Sequence, residues 1–245
     1  MAHYTLFGIN IALMVVNSKK CSQINIDMVA GINIKKNNRL ISLIKKNNHN
    51  LNFLTKKDFK VKYLNNRSHS IAISFYYNLV KYALAGTFEN KHSCFLALDG
   101  IQDPQNFGQI IRTAECAGIN GIIYSKHNSA TISNTVLQVS QGAFLNMPIY
   151  EVVNIKNEIK KLKNLGFWSI AFENEPDAKR WYNIDLKENI VIVFGSEGFG
   201  IKKKIKELCD FRAKIDMQGK INSLNVGASV AAVLFERLKQ IKEQK

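Results

Sequence analysis

A short loop in the C-terminal half of the chain combines three glycines with one carboxylate, in the segment Gly195-Ser196-Glu197-Gly198-Phe199-Gly200. It follows a predicted buried strand at residues 190–194 and precedes a predicted helix at residues 202–208. Loops that cradle a dinucleotide occupy the same position but have the order G-x-G-x-x-G. Here the order is G-x-x-G-x-G, and the carboxylate of Glu197 would repel a diphosphate. The loop therefore favours an uncharged or cationic ligand.

A second polar segment lies where an earlier predicted strand, at residues 95–98, gives way to a helix. It reads Asp103-Pro104-Gln105-Asn106-Phe107-Gly108, and Arg112 follows four residues later. Asp103 and Pro104 end the strand, and Asn106 is predicted to cap the helix. Arg112 is the single charge among apolar residues in the first two turns, which predicts an anionic partner. That partner is either Glu197, in a structural ion pair, or a phosphate of RNA.

A third segment, Ile221-Asn222-Ser223-Leu224-Asn225, opens the last predicted helix, which runs to about residue 242. Either Ser223 or Asn225 would cap this helix. The unsatisfied N–H groups of a helix N-terminus also suit the polar atoms of a ligand. The segment thus combines a structural role with a candidate binding role.

Taken together, the three segments resemble the signature motifs of the SpoU (TrmH) branch of the knotted RNA methyltransferases, over about residues 94–240. The resemblance implies an enzyme that uses S-adenosylmethionine to methylate a ribose 2′-oxygen of RNA. S-adenosylmethionine also fits the glycine loop, because it carries a sulfonium and an adenine but no phosphate. In-line methyl transfer from a sulfonium needs alignment and the removal of a proton, and it needs no metal.

The resemblance also implies roles for individual residues. It places contacts with the cofactor at Gly195, Ile215 and Leu224. It places the methyl-transfer site at Asn106, Arg112, Glu197, Ser223 and Asn225. With a free pKa above about 12, an arginine is a poor base, so we expect Arg112 to position and polarise the ribose hydroxyl together with a nearby phosphate. Direct base action by Arg112 is the alternative.

Two positions depart from the family pattern. Family members usually have Ile-Pro-Met where this chain has Ile215-Asp216-Met217. The carboxylate of Asp216 either faces the sulfonium or points outward. Residues 67–72 occupy the place of a usual His-Gln-Gly segment and keep only His69, for which we expect a surface or packing role.

The order of the predicted elements indicates an α/β protein. From residue 94 onward, short apolar runs alternate with helical segments, which is typical of a parallel sheet covered on both faces. The resemblance implies that residues 93–245 form a trefoil-knot (SPOUT) methyltransferase domain. Residues 1–75 are predicted to form a small α/β domain, with helices at 9–16 and 38–47 and a strand at 70–74. The resemblance likens this domain to ribosomal protein L30e and gives it an RNA-binding role. The residue pattern at 76–92 predicts a helical linker.

The charge of the chain indicates a polyanionic partner. The net charge is +15 over 245 residues, and residues 1–90 hold 13 basic residues against 3 acidic ones. A basic unit of this size is typical of proteins that bind the phosphates of nucleic acid. The alternative is a compositional bias towards Lys, Asn and Ile that raises the charge without a partner.

Cysteines and hydropathy point to the cytoplasm. Cys21, Cys94, Cys116 and Cys209 have neither a C-x-x-C pair nor a histidine at metal-ligand spacing, which argues for reduced thiols and against a metal site. The apolar start at residues 6–16 lacks the flanks of a signal peptide. No run approaches the roughly 20 apolar residues of a membrane span.

The resemblance further implies a homodimer joined through the knot, and a guanosine of 23S rRNA as the target. The basic N-terminal unit favours ribosomal RNA, since transfer-RNA relatives often rely on short terminal extensions. Two rival interpretations stay open: a transfer-RNA 2′-O-methyltransferase of the same fold, and a non-catalytic RNA-binding or ribosome-assembly protein. The joint presence of Asn106, Arg112, Glu197, Ser223 and Asn225 argues against the second rival.

Overall fold

The computed structural model describes residues 1–31, 34–64, 69–82 and 91–243. The chain divides into two compact units. The first comprises Met1–Leu79 together with Ile132–Leu145, and the second comprises Val80–Thr131 together with Asn146–Lys245. The domain limits expected from the sequence, 1–75 and 93–245 with a linker at 76–92, stay a prediction.

The helices and strands follow one another through the described residues. In chain order they are β1 (Ala2–Phe7), α1 (Ile9–Val16), β2 (Ser22–Val29), α2 (Ile34–Lys46), β3 (Asn50–Leu54), α3 (Lys56–Lys62), β4 (Ile71–Tyr77), β5 (Val80–Lys81), β6 (Cys94–Asp99), α4 (Pro104–Cys116), β7 (Gly121–Ser125), α5 (Asn134–Ser140), β8 (Ile149–Val152), α6 (Ile155–Asn164), β9 (Trp168–Phe172), β10 (Lys179–Arg180), β11 (Ile190–Gly195), α7 (Lys203–Lys206), β12 (Phe211–Lys214) and α8 (Val226–Lys242). Two short 3-10 helices span Ala143–Leu145 and Trp181–Asn183.

The second unit is built on a parallel sheet of eight strands, in the order β10-β12-β9-β11-β6-β7-β8-β5. Every neighbouring pair in it is parallel. The central strands β6 and β11 are buried along almost their whole length, which explains why they read as continuous apolar runs. The α/β class with a parallel sheet, predicted from those runs, is confirmed. Since β6 and β11 are in register from Cys94↔Ile190 to Asp99↔Gly195, the loops after them start side by side.

The first unit has a four-stranded sheet in the order β1-β4-β2-β3, in which only β2 and β3 are parallel. Its small α/β character agrees with the prediction, while its likeness to L30e stays a prediction. The predicted helices at 9–16 and 38–47 are confirmed by α1 and α2. The predicted helical linker at 76–92 is wrong at Tyr76 and Tyr77, which end β4, at Val80–Lys81, which form β5, and at 91–92, which form a turn. Its residues 83–90, with Gly86, Glu89 and Asn90, lie outside the described residues.

A segment from the C-terminal half of the sequence belongs to the first unit. Helix α5 lies beside the edge strand β1, where the Gln138 side chain accepts a hydrogen bond from the Phe7 N–H at 2.8 Å and donates one to the Phe7 carbonyl at 2.9 Å. These bonds satisfy backbone groups that an edge strand leaves unpaired. The ring of Phe144 stacks on Phe75 at a centroid distance of 6.1 Å. Residues 132–145 therefore complete the core of the first unit.

A buried carboxylate ties β2 to β3 and to the end of α3. Asp27 is 3% exposed, and its Oδ1 accepts a hydrogen bond from Asn52 Nδ2 at 2.9 Å. Its Oδ2 accepts from Lys62 Nζ at 2.6 Å and from the Tyr63 hydroxyl at 2.7 Å. Burial raises the pKa of Asp27, but the three hydrogen bonds outweigh burial and hold its pKa below the ordinary value.

Asp27→Asn should destabilise the protein at neutral pH by about 2 kcal/mol, because it removes a charge that three donors stabilise. The pKa of Asp27 is lowered by folding, so its contribution is present above the unfolded pKa of 3.8 and is lost as pH falls through the folded pKa. The difference in free energy of unfolding between Asp27→Asn and wild type, measured by urea denaturation, should therefore be smaller at pH about 3 than at neutral pH. The exposed Asp58 of the same unit, changed to Asn, is the control. An equal difference in free energy of unfolding at neutral pH and at pH about 3 would contradict this interpretation.

None of the helices among the described residues combines the length and apolar character needed to cross a bilayer. All four cysteines are free thiols. Burial raises the pKa of the Cys94 thiol to about 11. In the described part of the chain, no group of three or more His, Cys, Asp or Glu side chains is placed to hold a metal ion.

Candidate active site

The loops that follow β9, β11 and β12 meet at the carboxyl edge of the parallel sheet and enclose a cleft. Its empty volume is about 670 Å³, open mouth included. Strand ends and loops supply most of the lining, and the first turn of α8 supplies the rest. The lining residues are Phe172, Glu173, Asn174, Phe194, Gly195, Ser196, Glu197, Gly200, Ile215, Met217, Asn222, Ser223, Leu224, Val226 and Ser229. Ligands of open α/β sheets bind at such an edge.

Three of the predicted site residues form a hydrogen-bonded network beside the cleft. Asn106 Nδ2 donates to Glu197 Oε1 at 2.8 Å, and Asn225 Nδ2 donates to the same oxygen at 3.1 Å. Asn225 Nδ2 also donates to Asn106 Oδ1 at 2.8 Å. Each of the three motif segments contributes one member. We call Asn106, Glu197 and Asn225 the amide–carboxylate network.

The position of Asn106 differs from the prediction. Asp103, not Asn106, caps α4, because Asp103 Oδ1 accepts a hydrogen bond from the Gln105 N–H at 2.9 Å and Pro104 occupies the first turn. Asn106 lies inside the helix, 5% exposed. Its carboxamide is therefore free of a capping role and is committed to the network.

Asn225 combines the two roles that the sequence left open for this segment. Its Oδ1 accepts hydrogen bonds from the N–H groups of Gly227 at 2.9 Å and Ala228 at 3.3 Å, so it caps α8. Its Nδ2 is thereby turned towards Asn106 and Glu197. The cap fixes the orientation of the carboxamide, and this orients the donors of the network. Ser223 lines the cleft but does not cap the helix.

The glycine loop closes on itself. Ser196 and Gly200 exchange backbone hydrogen bonds of 3.2 and 3.0 Å, which form a narrow bridge. A Cβ on Gly195 would lie 2.0 Å from the Gly200 carbonyl carbon and 2.3 Å from the Ile201 nitrogen. Only glycine fits at position 195, because the backbone of residues 200 and 201 occupies the space of a side chain, and any side chain would break the loop. Gly195 also lines the cleft.

Arg112 is not part of the network. It lies on the exposed face of α4 with Gln105, Gln109 and Cys116, and no hydrogen bond or ion pair joins it to another described residue. It lies six positions after Asn106 in the helix, a displacement of about 9 Å along the axis and about 240° around it. Of the two partners that the sequence left open for Arg112, Glu197 is therefore not the one it pairs with in the structure. A guanidinium on a hydrated helix face needs no partner inside the protein. The apolar residues next to Arg112 in the sequence therefore did not imply an anionic partner within the chain.

Asp216, which stands where the family usually has proline, points away from the cleft. Its Oδ2 accepts a hydrogen bond from the Tyr182 hydroxyl at 3.1 Å and lies 3.3 Å from Arg180 Nε. Ile215 and Met217, its neighbours on either side, line the cleft instead. Of the two interpretations left open by the sequence, the structure supports the outward one. His69 lies in the first unit, where its ring stacks on Phe7 at 5.8 Å, in agreement with a packing role.

Sequence reasoning missed the contribution of β9. Phe172, Glu173 and Asn174 line the cleft from the end of this strand, and Asn174 Nδ2 donates to the Asn222 carbonyl at 2.7 Å. A signal was available, because β9 is a predicted buried strand and the ends of neighbouring parallel strands share one edge. The polar residues that follow it were therefore candidates for the site.

A second hollow adjoins the cleft on the other side of the glycine loop. It is lined by Gly100, Ile101, Gln102, Asp103, Asn106, Ser196, Glu197, Gly198, Phe199 and Val226. Ser196, Glu197 and Val226 border both spaces. The carboxylate of the amide–carboxylate network thus stands at the boundary between two candidate binding spaces.

The chain is similar to several proteins of known sequence and structure. Over 145 residues the chain is 41% identical to the 23S rRNA (guanosine-2′-O-)-methyltransferase RlmB of Pseudomonas aeruginosa, a match that covers 59% of this chain and 58% of that protein. The SpoU methyltransferase AviRb from Streptomyces viridochromogenes superposes with a TM-score of 0.82 at 16% identity, covering 99% of this chain and 91% of that one. The AdoMet-bound rRNA methyltransferase from Sinorhizobium meliloti gives 0.77 at 18% identity, with coverages of 98% and 88%.

The two structural matches show that the chain shares the fold of those methyltransferases. A sequence model of the SpoU rRNA Methylase family matches residues 93–235, which hold the parallel sheet and all three motif segments. The resemblance inferred from those segments is thereby confirmed. The chain belongs to the SpoU rRNA Methylase family.

Proposed function

We propose that the protein transfers a methyl group from S-adenosylmethionine to a ribose 2′-oxygen of RNA, with a guanosine of 23S rRNA as the target. The observation that carries this proposal is the amide–carboxylate network at the boundary between the cleft and the second hollow. The curated relative named for this reaction is 41% identical over the matched region. Because the chain spans 58% of that relative's length, the activity and substrate are inferred for this chain.

The lining of the cleft fits S-adenosylmethionine. Its apolar part, which includes Phe172, Phe194, Ile215 and Leu224, suits the adenine and the aliphatic chain. Its charged members are the carboxylates Glu173 and Glu197 alone, and no Lys or Arg is among the lining residues. Such a lining suits a cation and disfavours a diphosphate. We assign contacts with the cofactor to Gly195, Ile215 and Leu224.

We place the acceptor ribose in the second hollow, next to Glu197. When bound in the cleft, S-adenosylmethionine supplies an electrophilic methyl group. Glu197 Oε1 is held by Asn106 and Asn225, which fixes the carboxylate at the boundary. A fixed carboxylate there can accept a hydrogen bond from the 2′-hydroxyl and align its oxygen for in-line attack. Ser223, which lines the cleft close to the capped start of α8, is assigned to the same transfer site.

Arg112 is proposed to hold an RNA phosphate and to polarise the 2′-hydroxyl. Its guanidinium is exposed and has no partner among the described residues, so it is available to an external anion. An arginine can bind a phosphate through two parallel N–H groups. We assign Arg112 a positioning and polarising role. The amide–carboxylate network would orient the ribose of the acceptor nucleotide, and Arg112 would bind its phosphate.

A homodimer, the trefoil knot and a cytoplasmic location complete the proposal. The loops around the cleft and helix α8 expose large apolar side chains: Phe199 is 95% exposed, Ile221 77%, and Leu224 in the loops and Phe235 on α8 47% each. Exposed apolar patches commonly mark protein interfaces. The basic charge of residues 1–90 supports RNA capture by the first unit.

Cofactor binding tests the assignment of the cleft. Ser229→Phe should abolish measurable binding of S-adenosylmethionine, because it adds a ring to the cleft from the first turns of α8. Ser229→Ala should bind like wild type and is the matched control, since it adds no bulk. Calorimetry without added metal, and again with a chelator, measures both variants. Equal affinity of Ser229→Phe and wild type would place the cofactor elsewhere. A Gly195→Val variant is unsuitable, because it would break the loop.

A further inference from the structure

One carboxylate of the cleft lies outside the amide–carboxylate network. Glu173 follows β9 and lines the cleft, as Glu197 does. The two differ in that Glu197 Oε1 already accepts hydrogen bonds from two carboxamides. The lining thus holds two acidic residues and no basic one. This matters because S-adenosylmethionine carries one more positive charge than S-adenosylhomocysteine, the product that remains after transfer.

Two contacts fix the Glu173 carboxylate. Its Oε2 lies 2.8 Å from Lys206 Nζ. Its Oε1 lies over Gly200, where a Cβ would come within 2.0 Å of that oxygen. Gly200 has a φ of +65°, and the absence of a side chain there leaves the space that Oε1 occupies. The carboxylate is therefore held at the glycine loop, with one oxygen on the lysine and the other beside the loop.

Lys206 is shared between Glu173 and a second carboxylate. It also pairs with Glu175, whose Oε1 lies 2.7 Å from Nζ. Glu175 in turn lies 3.4 Å from Arg212, which also approaches Asp177 at 3.7 Å. Lys214 Nζ adds a third cation, which donates to the carbonyls of Glu175 at 3.1 Å and Pro176 at 2.8 Å. Glu173 is the one charged member of this group that lines the cleft, so its charge is the one that faces a ligand there.

We propose that Glu173 is a specificity-determining residue that makes the cleft bind the sulfonium cofactor more tightly than the neutral thioether product. This inference rests on the proposed function, since it concerns the same cleft. Attraction between a carboxylate and a sulfonium is lost once the methyl group has left and its bonding electron pair stays on sulfur. Glu173 therefore favours exchange of product for fresh cofactor.

The experiment compares the affinities for S-adenosylmethionine and S-adenosylhomocysteine by calorimetry. Glu173→Gln keeps the size of the side chain and removes its charge. It should weaken S-adenosylmethionine binding by about tenfold and S-adenosylhomocysteine binding by less than about threefold. Glu243→Gln is the matched control, because Glu243 is exposed at the far end of α8, outside the lining and outside the carboxylates around Lys206. Its ratio of the two affinities should equal that of wild type.

Salt gives a second measurement on the unmodified protein, should Glu173→Gln fail to fold. The preference of wild type for S-adenosylmethionine should shrink between about 50 mM and about 500 mM salt, because screening weakens attraction between charges. An unchanged ratio in Glu173→Gln, an equal change in Glu243→Gln, or a wild-type ratio that is independent of salt would each overturn the proposal. Binding of neither compound by wild type would overturn the proposed function itself.

Discussion

Arg112→Lys is expected to slow single-turnover methyl transfer to RNA by about 100-fold, the scale of losing a positioned group that assists proton transfer. Lysine keeps the charge but loses the planar fork that can hold a phosphate and a hydroxyl together. The melting temperature and the affinity for S-adenosylmethionine should stay near wild type. The structure gives the reason: Arg112 is exposed and forms no hydrogen bond or ion pair with another described residue, so folding does not depend on its guanidinium.

Arg212→Lys is the matched control for Arg112→Lys. Arg212 is also exposed, but it pairs with Glu175 and Asp177 outside the network. Its conversion to lysine should leave the transfer rate within about threefold of wild type. A wild-type rate in Arg112→Lys would remove Arg112 from the transfer site. Unfolding or loss of a dimer in that variant would instead assign Arg112 a structural role.

A triple substitution on α3 should weaken RNA binding by about tenfold or more at low salt. Lys56, Lys57 and Lys60 are exposed and form no ion pair with described residues, so their charges are available to phosphates. Replacing all three with alanine keeps a good helix former. If each contacts a phosphate, the slope of log affinity against log salt should fall by about two. Filter binding of 23S rRNA fragments over a salt series measures both quantities.

The control is a second triple variant, in which three lysines of the second unit are changed to alanine: Lys156, Lys160 and Lys242. It lowers the net charge by the same amount. An equal loss of affinity in both variants would show that net charge, and not α3, determines binding. A simple deletion of residues 1–75 is a poorer test. Helix α5 and Phe144 pack on the first unit, so the deletion would expose the apolar side of residues 132–145.

The parallel sheet could be predicted because its strands are buried on both faces. Strands β6 and β11 therefore appear in the sequence as unbroken apolar runs. Strand β3 was missed, since it is an edge strand with mostly exposed side chains and two asparagines in five residues. The membership of α5 in the first unit was also beyond local patterns, because it depends on long-range bonds such as those between Gln138 and Phe7.

At the candidate site, the sequence supplied the residues but not their arrangement. Asp103 followed by Pro104 is the usual start of a helix, and this signal should have assigned the cap to Asp103 and released Asn106. For Arg112, the exposed residues Gln105, Gln109 and Cys116 recur at helical spacing and mark a hydrated face. The contacts among Asn106, Glu197 and Asn225 join three distant loops, so only the folded chain brings them together.

The position of the transferred methyl group tests the central proposal most directly. The purified protein is incubated with S-adenosylmethionine carrying a labelled methyl group and with either 23S rRNA or transfer RNA. A 2′-O-methylated ribose cannot assist cleavage of its own phosphodiester, so alkaline hydrolysis leaves the label in a dinucleotide. The account predicts labelled, alkali-resistant dinucleotides that begin with guanosine, from 23S rRNA and not from transfer RNA. Label in alkali-sensitive mononucleotides, or no transfer to either RNA, would contradict it.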